Sequence, residues 1–156
     1  MPLTPKPRLF LLARLTSALL ALAVLLVVGC ASKPDSEAPA IPAGTREDGV
    51  LVLTRVDDQR TAEVRVGEQI RVRLPESHGT GYVWAIDETN RQLLALDGTD
   101  FEDSTEGFIG ARGMRTFTFT ARQPGEVVLK LKHWRLWEGD GSVTERFSVT
   151  LRIQEE

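Results

Sequence analysis

The side chains with catalytic potential fall in two stretches, Ser77-His78 within "SHGTGY" and His133 within "HWRLWEGDG". A serine nucleophile needs a base within hydrogen-bond reach and a third group to orient that base. Ser77 and His78 are neighbours, and neighbouring side chains on an extended segment point to opposite faces. No Gly-x-Ser-x-Gly elbow occurs anywhere in the chain. A metal fares no better: the 156 residues hold two histidines and one cysteine, too few for a zinc set. The acidic run Glu102, Asp103 and Glu106 reads as a solvated loop. No catalytic residue, metal or cofactor is therefore assigned, and His133 reads as a satisfied histidine near the end of the core.

What remains is binding chemistry. In "HWRLWEGDG" an arginine and a tryptophan, Arg135 and Trp137, run into an acidic, glycine-rich turn that cannot continue a buried strand. Tryptophan and arginine are the residue types that most often carry interface energy, one by rigid area and the other by a planar fork of donors. Two further loops are unusual: Ser77 to Tyr82, and "GARG" from Gly110 to Gly113. Glycine admits positive φ and close backbone approach, so each marks a tight turn or a contact made by backbone.

The elements that must position these loops are strands. From Gly49 to Ile153 apolar residues recur every second position: Ile70, Val72, Leu74; Phe117, Phe119, Ala121; Val127, Leu129, Leu131; Phe147, Val149, Leu151, Ile153. With Val50–Arg55, Ala62–Val66 and Tyr82–Ile86 this predicts an all-β domain of about seven to eight short strands. "ETNRQLLAL" is read as a helical turn or a strand entry. Two apolar faces to cover point to an immunoglobulin-like β-sandwich, with a small barrel as the alternative. Alternation along Val127 to Leu131 points His133 inward and Trp134 outward, and of Tyr82 and Trp84 at least one, more naturally Trp84, packs inside to support its loop. In a sandwich, three such loops can gather at one end into one binding edge.

The N-terminal part is read separately. Lys6, Arg8 and Arg14 precede an apolar run from Leu15 to Val28 that ends in "VVGC", the pattern of a secretory signal over residues 1–29. That ending resembles the bacterial lipobox, which implies lipid attachment at Cys30, membrane anchoring and, with Ala31 following, an outer-membrane address in the cell envelope. Residues 30–48 are rich in Pro, Ala and Ser and read as a flexible tether. All 22 acidic residues follow Cys30 while three of the 19 basic ones precede it, so 16 basic residues face 22 acidic ones beyond it, a net charge of −6. With no basic stripe, nucleic-acid binding is disfavoured. The domain at 49–156 is read as a monomer.

Taken together, "SHGTGYVW", "GARG" and "HWRLWEGDGSVTERFSVTL" resemble the chagasin family of inhibitors of papain-like cysteine peptidases, whose three loops read approximately Asn-Pro-Thr-Thr-Gly-Tyr/Phe, Gly-x-Gly-Gly and Arg-Pro-Trp. Thr80, Gly81 and Tyr82 match the end of the first motif, with Ser77, His78 and Gly79 standing where the family has Asn-Pro-Thr. Gly110, Ala111 and Gly113 match the second, with Arg112 in place of a glycine. Arg135 and Trp137 match the third, with Leu136 in place of proline. The resemblance implies an immunoglobulin-like sandwich whose three loops wedge into the cleft of a papain-like cysteine peptidase. Two other binding functions are carried beside it: an envelope inhibitor of another hydrolase such as lysozyme, and a non-inhibitory adaptor of the outer membrane.

Overall fold

A computed structural model describes residues 41–103 and 112–155. The signal segment, Cys30, the tether up to Ala40, Glu106, Gly110 and Ala111 lie outside the described residues. Among the described residues there are nine strands: β1 (Thr45–Glu47), β2 (Val50–Leu53), β3 (Arg60–Arg65), β4 (Gln69–Ser77), β5 (Val83–Glu88), β6 (Leu94–Asp103), β7 (Arg112–Ala121), β8 (Gly125–Trp134) and β9 (Glu145–Gln154). They form a five-stranded sheet in the order β1-β2-β4-β7-β6 and a four-stranded sheet in the order β3-β9-β8-β5. Two separate sheets make this a sandwich rather than a barrel.

The alternation expected from sequence is the burial pattern observed. Ile70, Val72 and Leu74 of β4 and Phe119 of the neighbouring β7 are each 0% exposed, and Leu129, Val149 and Leu151 from the facing sheet are equally sealed. Each such side chain contributes about 1.5–3 kcal/mol by leaving water, and together they form one core between the sheets. Phe117 and Phe119 stack with ring centroids 6.4 Å apart.

Strand β1 was not anticipated, β6 was foreshadowed only by the strand entry in "ETNRQLLAL", and one boundary moves. Strand β6 takes in Glu102 and Asp103, which the composition suggested were loop. Only its first two residues are buried, because it is an edge strand with most of its length facing water, so its apolar signal is faint. The turn before it is closed by Asn90, whose side chain accepts from the Gln92 N–H and whose carbonyl accepts from the Leu94 N–H, both at 2.9 Å.

Strand β1 and the residues before it belong to the sandwich although they were read as tether. Ala43 is buried in the core at 3% exposure, and its N–H donates to the Thr61 carbonyl at 2.8 Å. Arg60 donates to the carbonyls of Ile41 and Pro42 at 2.7 and 2.9 Å. Buried Asp57, in the turn between β2 and β3, accepts the N–H groups of Gly44 and Thr54 at 2.7 and 2.9 Å. The folded unit thus begins at Ile41 rather than at Gly49. Its first residues are held by backbone bonds and one buried carboxylate, which composition does not reveal.

Candidate functional site

Strand register brings the ends of the loops together. In the first sheet Ser77, the last residue of β4, pairs with Arg112, the first of β7, and Asp103, the last of β6, pairs with Gly113. In the second sheet Val83, the first residue of β5, pairs with Trp134, the last of β8. The β4–β5 connection (loop 1), the β6–β7 connection (loop 2) and the β8–β9 connection (loop 3) therefore leave the same end of the sandwich. Loop 1 crosses between the sheets there.

Loop 1 is a built turn. His78–Thr80 form one 3-10 turn, the Thr80 hydroxyl donates to the Ser77 carbonyl at 2.9 Å, and the Tyr82 N–H donates back to that hydroxyl. Gly79 stands exposed at its tip. Gly81 takes φ +74, which a residue with a Cβ adopts only at a cost of about 1–2 kcal/mol.

Loop 3 is fastened by Ser142. Its Oγ accepts the Arg135 N–H at 3.0 Å and is 2.7 Å from the Gly139 carbonyl, to which it donates. Beyond it the Thr144 N–H closes the loop on the His133 carbonyl at 2.9 Å. Lys132 binds Asp140 at 2.7 Å and Asp87 at 3.1 Å. Hydrogen bonding to these carboxylates holds the lysine above its ordinary pKa and Asp140 below its own. A loop so cross-tied loses little freedom on binding, which favours affinity.

Loops 1 and 3 touch. The Trp137 indole lies against Gly81 so closely that a Cβ there would collide with it, yet 69% of Trp137 and 70% of Leu136 remain exposed. Arg135 Nε donates to the Thr80 carbonyl at 3.2 Å, its guanidinium lies 4.4 Å from the Tyr82 ring centre, and Nη1 pairs with Glu138 at 2.8 Å. Arg135 was weighed as a binding contact or a surface ion pair. It forms that ion pair and also braces loop 3 against loop 1, so Nε and Nη1 are engaged within the edge. Tyr82 and Trp84 support the loop as anticipated: Trp84 is 4% exposed and its indole N–H donates to the Pro75 carbonyl at 2.9 Å.

Beneath the loops His133 is half-buried, as its inward parity implied. Its ring stands 5.4 Å from Tyr82 and 5.1 Å from Trp84, with Nδ1 3.0 Å from the Thr144 hydroxyl. Nε2 is buried and has no hydrogen-bond partner among the described residues, so the ring is not the fully satisfied histidine expected from sequence. Burial lowers its pKa against the opposing pull of Glu145 and Glu76. Trp134, on the outward side, carries the Lys132 ammonium 4.0 Å from its ring centre.

Of loop 2 the structure describes only Arg112 and Gly113, which open β7. Arg112 is exposed and Gly113 is buried. A Cβ on Gly113 would strike the Phe101 ring and the Glu102 carbonyl, so this glycine is required by close strand packing. One important group escaped the sequence reading. Glu76, on β4, is buried at 3% exposure and pairs with Arg115 of β7 at 2.6 Å. In sequence it occupied a position among polar loop residues, and only the length of β4 would have placed it inside.

A family model described as chagasin family peptidase inhibitor I42 matches residues 63–151, a span from β3 to β9 that contains all three loops. The chain belongs to the chagasin family of peptidase inhibitors. Chagasin of Trypanosoma cruzi is 27% identical over 105 residues, covering 64% of this chain and 94% of that protein. The crystal structure of the cysteine protease inhibitor EhICP2 of Entamoeba histolytica superposes with a TM-score of 0.60 at 22% identity, covering 66% of this chain and 94% of that one. The solution structure of amebosin gives 0.57 at 23% identity, covering 66% and 96%. These likenesses agree with the sandwich described above.

Proposed function

We propose that this chagasin-family domain inhibits papain-like cysteine peptidases by filling the active-site cleft with its three-loop edge. The observation that carries the reading is the exposed Trp137 seated on Gly81, which joins loops 1 and 3 into one preformed surface. In this mechanism Ser77, His78, Gly79 and Thr80 enter the cleft beside the catalytic cysteine. Leu136 and Trp137 lie against one wall, while loop 2 contacts the other, with exposed Arg112 at its end. Blocking requires no chemistry from the inhibitor. Attack by the thiolate needs a carbonyl in near-attack alignment, and a wedge that holds no peptide bond there is not cleaved. The domain thus acts as a binding module, not as an enzyme, and the partner is the peptidase.

The same proposal includes its setting. Lipid attached at Cys30 and the tether beyond it hold the domain at the bacterial envelope, at the outer membrane. Metabolic labelling with a palmitate analogue, lost in Cys30→Ala, tests that setting independently of inhibition.

The inhibitory mechanism is tested by shielding. Papain preincubated with the domain from Ile41 onward is expected to lose activity and to resist alkylation of its active-site cysteine by iodoacetamide, while lysozyme stays active. Lost activity with an alkylation rate equal to that of free papain would mean that the domain acts away from the cleft.

A further inference from the structure

The interior beneath the loops holds a charge pair that joins the strands bearing loops 1 and 2. Glu76 is the penultimate residue of β4, and its side chain is 0% exposed. A carboxylate at such depth is tolerable only when paired and hydrogen-bonded. Arg115 of β7 supplies the charge: Nη2 donates to Oε1 at 2.6 Å, and Nε lies 3.2 Å from both oxygens. Oε2 also accepts the backbone N–H of Trp84 at 2.8 Å. The Arg115 guanidinium in turn lies 5.2 Å from the ring centre of Phe101 on β6.

The four strands so connected are those that flank loops 1 and 2. The ladder already ties β4 to β7 and β7 to β6, but β5 belongs to the opposite sheet. The bond from Trp84 to Glu76 is therefore a polar tie across the mouth of the sandwich, at the place where loop 1 crosses. Two apolar side chains of similar volume commonly stabilise a fold as well as a buried ion pair does. Directional, charge-assisted bonds do something that apolar packing does not, which is to fix distance and angle.

We infer that Glu76 and Arg115 are positioning residues for the inhibitory edge: the pair sets the span between loops 1 and 2 without touching the peptidase. This rests on the inhibitory function proposed above, and its test separates the two. Glu76→Gln keeps the shape and an oxygen for the Trp84 N–H but removes the charge. Glu76→Gln with Arg115→Met removes the pair while keeping the volume filled.

Inhibition constants for papain and thermal midpoints are measured for the wild-type domain and both variants. Glu76→Gln is expected to lower the midpoint and, at a temperature where it is folded, to raise the inhibition constant about tenfold or more. The double variant, which no longer buries an unpaired guanidinium, is expected to regain part of the midpoint but not the inhibition. Wild-type inhibition by the double variant, or by folded Glu76→Gln, would overturn the inference and leave the pair a stabilising contact only. If Glu76→Gln does not fold, the double variant carries the comparison alone. A wild-type domain that does not inhibit papain would count against the proposed function, and backbone relaxation then decides the inference. Amides of Gly79, Gly81 and Gly113 should become more mobile in the double variant while Gly125, at the opposite end of β8 from loop 3, stays as it was. Unchanged mobility at those three amides would overturn it.

Discussion

Arg135 shows how far a residue type carries and where geometry takes over. Its identity and spacing from Trp137 marked a binding loop, but only the fold reveals that the guanidinium braces Thr80 and Tyr82. Lysine cannot reproduce both the planar stacking and the fork of donors. Arg135→Lys is expected to weaken inhibition of papain by about tenfold, a loss of about 1.4 kcal/mol, although the charge facing Glu138 is kept. An unchanged constant would confine Arg135 to a surface ion pair. His133 was placed correctly by parity, while its unpartnered Nε2 was beyond sequence reasoning because it depends on Tyr82, Trp84 and Thr144 closing around it. Burial, aided by Arg55, lowers its pKa in the fold, so the unfolded chain takes up a proton first as pH falls. Stability from the neutral ring is full above its unfolded pKa of about 6.5 and is lost as pH falls below it. Urea denaturation between about pH 7.5 and 5.5 should show stability falling with acid, less steeply in His133→Phe. Equal slopes would show that other groups set the acid sensitivity.

At the level of elements, strands with one wet and one buried face were legible, and strands at the edges were not. β4, β7, β8 and β9 announced themselves by alternation. β1 has three residues, all exposed, and β6 is largely exposed, so neither leaves a periodic apolar trace. The loops were recognisable as glycine-bearing breaks, but what their glycines do was not. Gly81 serves both a positive φ and the seat of Trp137, whereas Gly113 serves strand packing. Different outcomes follow. Gly81→Ala should cost about 1–2 kcal/mol of stability from the backbone alone and should also weaken inhibition by pushing Trp137 aside. Gly113→Ala should cost about 1–3 kcal/mol by overpacking against β6, since the obstructing Glu102 carbonyl is backbone. Denaturant midpoints beside inhibition constants check both, and a tolerated Gly81→Ala with full inhibition would mean that the indole seat is dispensable.

Across the whole molecule the decisive feature is that three connections, distant in sequence, leave one end of a single sandwich. That convergence follows from register, which no single stretch of sequence encodes, although the order of the three motifs signalled it through the family resemblance. The start of the domain was less legible because Ile41 to Gly44 look like tether and are held mainly through backbone. A chain beginning at Gly49 forfeits Ala43 from the core and the Gly44 bond to Asp57. It should unfold at a lower temperature than one beginning at Ile41, and equal melting curves would show the N-terminal segment to be energetically neutral. Function is best judged on the longer form. Titration of papain with the domain from Ile41 onward, beside its Trp137→Ala variant, tests the inhibitory edge most directly. Saturable inhibition by the wild type, weakened about thirtyfold or more in the variant, is expected. No inhibition by the folded wild-type domain, or equal inhibition by both, would contradict the role assigned to the edge that Trp137 and Gly81 build.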